Sequence, residues 1–202
     1  MPNVQFKIDE NSINKLKAKL KGIEFDNQQS IIKKMVKAVG ISVHERLVEN
    51  VSNRILKRRT GNLARSIQWR TVESKNGISL FVGSGVLTGG RVPYANILET
   101  GGVIRPKRAK WLTIPLRGAL TKAGATKNPS ARDFPNTFIK KSKSGNLIIF
   151  QKAKGGIIPL FVLKKSVTIP EKAYLSKTLE TMKPRIFSIM DETLQKELDK
   201  NE

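Results

Sequence analysis

The chain has 202 residues, 39% of them hydrophobic, and its 38 Lys and Arg against 16 Asp and Glu give a formal net charge of +22 at pH 7. This length is enough for one well-filled core, and the hydrophobic fraction argues against global disorder. With no cysteine and only His44, the sequence offers no disulfide framework, no thiolate zinc site and no Cys–His nucleophile pair. No apolar run approaches about eighteen residues, so we expect no membrane helix.

The first part of the chain is predicted to be mainly helical. Residues Val4–Ile8 alternate apolar and polar side chains, which predicts a short strand, and Ser12 can cap a modest helix that ends near Leu20. A long amphipathic helix is predicted from an N-cap at Asp26, because apolar residues recur at three- and four-residue steps as far as Ile55. The apolar stripe is wide, so we expect this helix to contact more than one neighbouring element.

A short helix and a hairpin come next. In the run TGNLARSIQW, Thr60 is the predicted N-cap, and Leu63 and Ile67 lie on the inner side of the helix. Residues 69–73 and 78–83 then read as two strands on either side of an Asn-Gly turn, which is a strong hairpin signal.

The segment Arg91–Gly102, RVPYANILETGG, is predicted to form a short buried helix within a sheet-forming region. It has room for a helical turn and a half that buries Tyr94, Ile97 and Leu98, and its two glycines release the chain afterwards. Tyr94 and Glu99 are its polar groups, and we expect Glu99 to pair with a nearby arginine. A plain connecting turn is the alternative.

The remaining elements are mostly strands, followed by a second amphipathic helix. Pro115 confines the strand WLTIPL to a sheet edge or to its own end, and Pro184 is expected to kink or divide the last helix. The predicted elements are a strand at 111–116, a loop at 118–135, a hairpin of 137–139 with 147–150, a strand at 157–167, and a helix after Pro170.

These elements predict an α+β fold, with an antiparallel sheet of hairpins flanked by a long N-terminal amphipathic helix and a C-terminal helix. An extended basic hairpin and loop insertion interrupts it. We expect a single domain, 1–202. Its predicted parts are an N-terminal arm (1–25), the long helix and first hairpin (26–104), the basic insertion (105–156), and the core strand with the C-terminal helix (157–202).

Positive charge is concentrated in one segment. Between Arg105 and Lys154 there are thirteen basic residues and one acidic residue, Asp133. So lopsided a segment indicates a polyanion or an acidic protein surface as its partner, with a merely solvated surface as the alternative. Trp111, Phe138 and Phe150 lie among these cations, where they could stack on bases or fill a core. The predicted contact residues are Arg105, Lys107, Arg108, Lys110, Lys140, Lys141, Lys143, Lys152 and Lys154.

No pattern in the sequence indicates catalysis. The glycines at 83–85 and 89–90 are not followed by a dinucleotide-binding or P-loop pattern, and there is no GxSxG nucleophile elbow. Glu99 and Asp133 are isolated acids rather than a spaced pair for acid–base work. We therefore predict no enzymatic activity, no catalytic residue, no cofactor and no metal.

Three motifs resemble those of a known group of proteins. They are Thr60-Gly61-Asn62-Leu63-Ala64-Arg65-Ser66-Ile67, then Tyr94-Ala95-Asn96-Ile97-Leu98-Glu99-Thr100-Gly101, then Ile169-Pro170-Glu171-Lys172-Ala173-Tyr174-Leu175. The chain resembles the neck and tail-completion proteins of long-tailed bacteriophages, a group that includes head–tail joining and minor tail proteins. These commonly read TGxLxxSI, YAxxxExG and IPARPFL, so the third motif departs from the family pattern. The matching motif positions are Thr60, Gly61, Leu63, Ser66, Tyr94, Glu99, Gly101 and Pro170.

The resemblance implies a non-catalytic structural protein of the virion, located at the phage neck or the head-proximal end of the tail. It implies a homo-oligomeric ring, often of six subunits, assembled in the host cytoplasm. Connector or stopper proteins, tail tube or terminator proteins, and viral DNA passing through the channel would be its partners. The alternative reading from charge alone is a sequence-independent nucleic-acid-binding protein with a strongly salt-dependent affinity.

Overall fold

The computed structural model describes residues 10–21, 23–74, 77–87 and 92–200, so the strand predicted at Val4–Ile8 lies outside the described residues. The helices are α1 (Glu10–Leu20), α2 (Phe25–Glu49), α3 (Asn62–Ser66), α4 (Ala95–Thr100) and α5 (Tyr174–Leu198). The strands are β1 (Ile67–Ser74), β2 (Gly77–Ser84), β3 (Gly102–Ile104), β4 (Leu112–Pro115), β5 (Thr137–Lys141), β6 (Leu147–Ala153), β7 (Gly156–Lys164) and β8 (Val167–Ile169). This arrangement confirms the predicted α+β class.

The chain forms two compact units. The helical unit consists of Met1–Thr100 together with Lys172–Glu202, and the basic unit consists of Gly101–Glu171. The predicted single domain with an insertion at 105–156 stays a prediction.

The buried side of α2 is a seam of residues spaced four apart. Four residues advance an α-helix by about 400°, so each step turns the seam by about 40° around the axis. Over its length the seam therefore faces several different neighbours. The seam residues of α2 are Ile31, Met35, Val39, Val43 and Leu47, and Val51, just after the helix, continues the same spacing.

Three apolar clusters follow from this winding seam. Its first part packs with Leu16 and Leu20 of α1 and with Leu194 of α5, and its middle part packs with Met182 and Ile186 of α5. Leu80 and Val82 of the first hairpin join the middle cluster, while the last part packs with Leu63, Ile67 and Tyr174. The expectation that α2 contacts more than one element is correct.

Both ends of α2 differ from the prediction. The helix begins at Phe25 with Glu24 in the N-cap position, so Asp26 is not its cap. At the other end the α-helix stops at Glu49 and the chain continues as a π-helical turn, Asn50–Arg54. Within this turn the buried Asn50 amide donates to Thr178 Oγ1 at 2.7 Å. A buried amide needs such a partner, which a regular apolar stripe does not reveal.

The last helix, α5, is not divided at Pro184. Met182 and Ile186, on either side of the proline, are both buried against α2. This packing holds the helix together across the hydrogen bond that proline cannot donate. The same helix runs to Leu198 and buries Leu194 completely.

The two units have separate sheets. In the helical unit, β1 and β2 form the predicted hairpin, with Trp69 opposite Val82 and Arg70 opposite Phe81. In the basic unit, β3 pairs with β8, and a four-stranded antiparallel sheet has the order β4-β7-β6-β5. Strand β4 is an edge strand that ends at Pro115, as predicted.

The core of the basic unit lies on one face of its four-stranded sheet. Phe134 packs edge-on against Phe161 with ring centroids 5.5 Å apart, and Ile149 adjoins this cluster. Phe134 belongs to the stretch 118–135 that was predicted to be a loop. A 3-10 helix, Arg117–Ala119, overlaps the start of this stretch, and a second one, Ala131–Asp133, lies within it, so the stretch is not a structureless loop.

Candidate functional site

Glu99, in the second motif, caps the last helix. Glu99 is 3% exposed, and its carboxylate accepts hydrogen bonds from the backbone N–H groups of Leu175 and Ser176, at 2.8 and 2.9 Å. The Ser176 hydroxyl donates to it at 2.6 Å. The prediction that Glu99 pairs with an arginine is therefore wrong. A negative charge at a helix N-terminus satisfies otherwise unpaired N–H groups and interacts favourably with the helix dipole.

The backbone before α5 is fixed to α4 as well. The N–H groups of Lys172 and Ala173 donate to the carbonyls of Leu98 and Glu99, both at 3.0 Å. Ala173 has φ 47°, a value that a proline ring cannot adopt. The departure from the family's third motif at this position is thus accommodated by a left-handed backbone, and Tyr174 fills the core beside it.

Burial changes the acidity of that tyrosine. Tyr174 is 4% exposed, and loss of hydration, with a smaller contribution from the Glu99 carboxylate, raises the pKa of Tyr174 to about 12. The hydroxyl is therefore neutral at physiological pH. A neutral phenol next to a capping carboxylate is a structural arrangement, because a second negative charge there would repel Glu99.

The first motif forms the connection between α3 and the first hairpin. Gly61, with φ 77°, occupies the N-cap position that the sequence assigned to Thr60, which is an exposed residue just outside the helix. Leu63 and Ile67 are buried, as predicted. The Ser66 hydroxyl donates to the Leu63 carbonyl at 2.7 Å and lies 2.8 Å from the Ser84 hydroxyl. This motif therefore joins a helix end to a strand end.

The other motif residues have mixed environments. Tyr94 is 41% exposed and precedes α4, so its predicted burial is wrong, while Ile97 and Leu98 are half-buried. The buried positions of α4 are instead Ala95 and Glu99, because the capping contact turns the Glu99 side of the helix inward.

Gly101 and Pro170 belong to the basic unit. Gly101 has φ 68°, and a Cβ there would come within 2.7 Å of the Glu171 backbone nitrogen, so only glycine fits this close approach. Pro170 is exposed. The functional role assigned to the motif residues stays a prediction.

All nine predicted contact cations are exposed. The basic unit as a whole carries fifteen Lys and Arg residues against Asp133 and Glu171. The ion pairs found among the described residues all lie in the helical unit, for example Lys19–Asp191 at 2.6 Å. In the described part of the basic unit, cations are therefore not neutralised by neighbouring acids.

Two aromatic rings of the basic unit, Phe138 and Trp111, lie next to lysine ammonium groups. Phe138 and Phe150 stack on each other with ring centroids 5.7 Å apart, and the Lys152 ammonium lies 5.9 Å from the Phe138 ring centroid. The Lys165 ammonium lies at the same distance from Trp111. All three aromatic side chains are half-buried, and none belongs to the buried cluster around Phe134.

The described residues contain no group of three or more His, Asp or Glu side chains that could hold a metal ion. Among the described helices, none combines the length and the apolar character that a membrane span requires. His44 is half-buried in α2, with its Nε2 atom 3.1 Å from the Ile67 carbonyl oxygen. Its ring thus connects α2 to the start of β1.

Within the motifs, Glu99 caps a helix, Ser66 hydrogen-bonds to the chain and Leu63 packs in the core. Residues 14–101 match the model of the HK97-gp10-like family, described as "Bacteriophage HK97-gp10, putative tail-component". This segment runs from α1 to the end of α4 and includes the first two motifs, and it confirms the resemblance that they indicate. No curated protein and no solved structure matches the chain significantly.

Proposed function

We propose that this protein is a non-catalytic structural component of a phage tail that assembles into a ring at the neck or the head-proximal end of the tail. The match of residues 14–101 to a phage tail-component family carries this proposal. Connector or stopper proteins and tail tube or terminator proteins are the neighbours in the virion, and viral DNA passes through the ring. The ring is expected to contain about six copies of the chain, since the motif resemblance implies a hexamer.

The first hairpin has a surface suited to assembly. Trp69, Leu80 and Val82 face α2, whereas Arg70, Val72 and Phe81 point to the other side of the hairpin. Val72 is 38% exposed and Phe81 is 45% exposed, with the Arg70 guanidinium 5.5 Å from the Phe81 ring centroid. Exposed apolar side chains grouped in this way are typical of protein interfaces.

A ring needs two different patches that meet on neighbouring copies. We assign the outer side of the hairpin, with Val72 and Phe81, to one of these patches. Ile41 on α2 is a candidate for the second patch, because it is an apolar residue of the same unit and is 42% exposed.

Mass photometry of the full-length protein tests this proposal. The expected result is a closed oligomer whose mass is about six times the chain mass of 22.5 kDa. Phe81→Ser should shift the distribution toward smaller species, since it removes the largest exposed ring of the hairpin. Ile139→Ser is the matched control, because Ile139 is 60% exposed but lies in the basic unit. Equal effects of the two substitutions would contradict the proposal. So would a protein that stays monomeric both alone and in the presence of connector and tail-tube ends.

A further inference from the structure

The four-stranded sheet of the basic unit has two chemically different faces. In an antiparallel sheet, residues directly opposite each other on neighbouring strands point to the same face. Ile149 lies opposite Phe161 on the face that holds the buried cluster. Phe138 lies opposite Phe150, and Lys140 opposite Ile148, on the other face. Lys152 shares that second face, because it is two residues beyond Phe150 along β6.

We call this second face the lysine face and define it by Phe138, Lys140, Ile148, Phe150 and Lys152. The two lysines are exposed, and the three apolar residues beneath them are half-buried. Lys140 lies opposite Ile148 of β6 and Lys152 lies on β6 itself, so the two lysines are on either side of the stacked phenylalanines. Positions 148 and 152 are four residues apart along β6, which is about 14 Å at about 3.4 Å per residue.

The lysine face has charge and no acid to neutralise it. The two acids of the basic unit are elsewhere: Asp133 accepts from the Ser130 backbone at 2.9 Å, and Glu171 follows β8. No hydrogen bond or ion pair joins Lys140 or Lys152 to another described side chain. A unit with fifteen cations and only two acids matches the regular charge of a polyanion better than the mixed charges of a typical protein surface.

The aromatic pair indicates how such a ligand is bound. One face of the Phe138 ring is covered by Phe150, and the Lys152 ammonium lies 5.9 Å from its centroid. Rings that are half-buried and already stacked on each other are poor platforms for bases. They form instead an apolar surface under the lysines, and the negative face of an aromatic ring attracts a nearby ammonium group.

We infer that the lysine face is a sequence-independent binding site for the phosphate backbone of duplex DNA. Lys140 and Lys152 contact phosphates as mobile point charges, and Phe138 and Phe150 support them without reading bases. The distance between Lys140 and Lys152 along the strands is close to the major-groove width of about 12 Å, so both ammonium groups can reach phosphates of one duplex. This inference deepens the proposed function, because it names the partner of the basic unit.

The test uses the full-length protein and a fluorescent duplex of arbitrary sequence, with binding followed by anisotropy as the salt concentration rises. Lys140→Ala combined with Lys152→Ala should reduce the slope of log affinity against log salt by about 2, since each phosphate contact contributes about 0.9. Lys37→Ala combined with Lys177→Ala is the matched control, because both are exposed lysines of the helical unit. The control should keep the slope, and a second unrelated duplex should give the same values.

Three results would overturn the inference. The first is an equal change of slope in both double variants. The second is tight binding of polyglutamate. If polyglutamate, at equal charge concentration, binds as tightly as DNA and through the same lysines, the lysine face would be assigned to an acidic protein. The third is a larger loss of single-strand than duplex binding in Phe150→Leu, which would indicate base stacking. Ring formation is measured separately by mass, so the site and the assembly can fail independently.

Discussion

The helical unit and the basic unit differ in how many of their charged side chains have partners within the chain. In the helical unit a buried carboxylate, Glu99, is fully hydrogen-bonded, and surface cations such as Lys33 and Lys183 have acidic partners. In the basic unit fifteen cations face two acids, and ion pairs are absent among the described residues. The helical unit therefore neutralises part of its surface charge internally, whereas no ion pair involves a cation of the described basic unit.

The family match covers part of the helical unit and almost none of the basic unit. The matched residues 14–101 lie in the helical unit apart from Gly101, and the basic unit lies almost entirely outside the match. The shared scaffold and the lysine-rich surface are therefore different parts of the sequence. Substitutions that separate stability from binding can test each part by itself.

The largest expected effect is on the cap of α5. Glu99→Ala removes three hydrogen bonds and leaves two partly buried helix N–H groups without their acceptor, so the free energy of unfolding should fall by about 2–4 kcal/mol. Urea unfolding measures this loss. Glu171→Ala, an exposed acid of the basic unit, is the control and should change stability by less than about 0.5 kcal/mol. Similar losses in both variants would mean that Glu99 is not a special position.

A second test concerns close packing of α2 against the first hairpin. A Cβ at Gly40 would lie 2.6 Å from Trp69 Cε3 and 3.0 Å from Leu80 Cδ1. Gly40→Ala gains about 1 kcal/mol of helix propensity but must displace the indole, so we expect a net loss of about 1–2 kcal/mol by thermal or urea unfolding. Gly155→Ala is the counterpart in the basic unit, where nothing lies within 4 Å of the added carbon. A stabilised Gly40→Ala protein would contradict the contact.

A third test uses the buried tyrosine. Because the pKa of Tyr174 is raised to about 12, the unfolded chain releases this proton at lower pH than the folded one. Its contribution to stability is therefore complete below about pH 10 and is lost as the pH rises toward 12, by at most about 1.4 kcal/mol per pH unit. Tyr174→Phe should remove this part of the alkaline loss, measured as the difference in unfolding free energy between pH 9 and pH 11.5. Tyr94→Phe leaves Tyr174 in place and should retain it.

The smallest effect is expected at an exposed ion pair of the helical unit. The hydrogen bond from Lys34, then that from Lys200, holds the pKa of Glu197 below its ordinary value of 4.5. A carboxylate with a lowered folded-state pKa stabilises the protein above pH 4.5 and loses that contribution as the pH falls further. Glu197→Gln should make the acid limb of the stability curve slightly shallower, and Lys34→Met should have the same effect. An unchanged acid limb in both variants would show that the pair contributes nothing.

Local patterns predict most of the elements. Apolar periodicity locates α2 and α5, the Asn-Gly signal locates the first hairpin, and Pro115 correctly predicts an edge strand. These features depend on residues within a few positions of one another, so sequence spacing reveals them. The nine predicted contact cations are exposed, as charged side chains without acidic partners usually are, and their contact with a partner stays a prediction.

Contacts between distant residues could not be predicted in this way. The partners of Glu99 are 76 and 77 positions away, at the start of α5, and the hydroxyl that pairs with Asn50 is 128 positions away. The helical turn predicted over this segment was expected to bury Tyr94, but the capping contact turns α4 so that Ala95 and Glu99 face inward. The lysine face depends in the same way on strand register, which pairs Phe138 with Phe150.

Lysine acetylation of the full-length protein, with and without duplex DNA, tests the central claim most directly. A short pulse of acetic anhydride followed by peptide mass spectrometry reports the accessibility of each ammonium group. We expect DNA to protect Lys140 and Lys152 of the basic unit, while Lys37 and Lys177 of the helical unit react as they do without DNA. Equal protection in both units, or protection of the helical unit alone, would contradict the division between a self-contained scaffold and a DNA-facing surface.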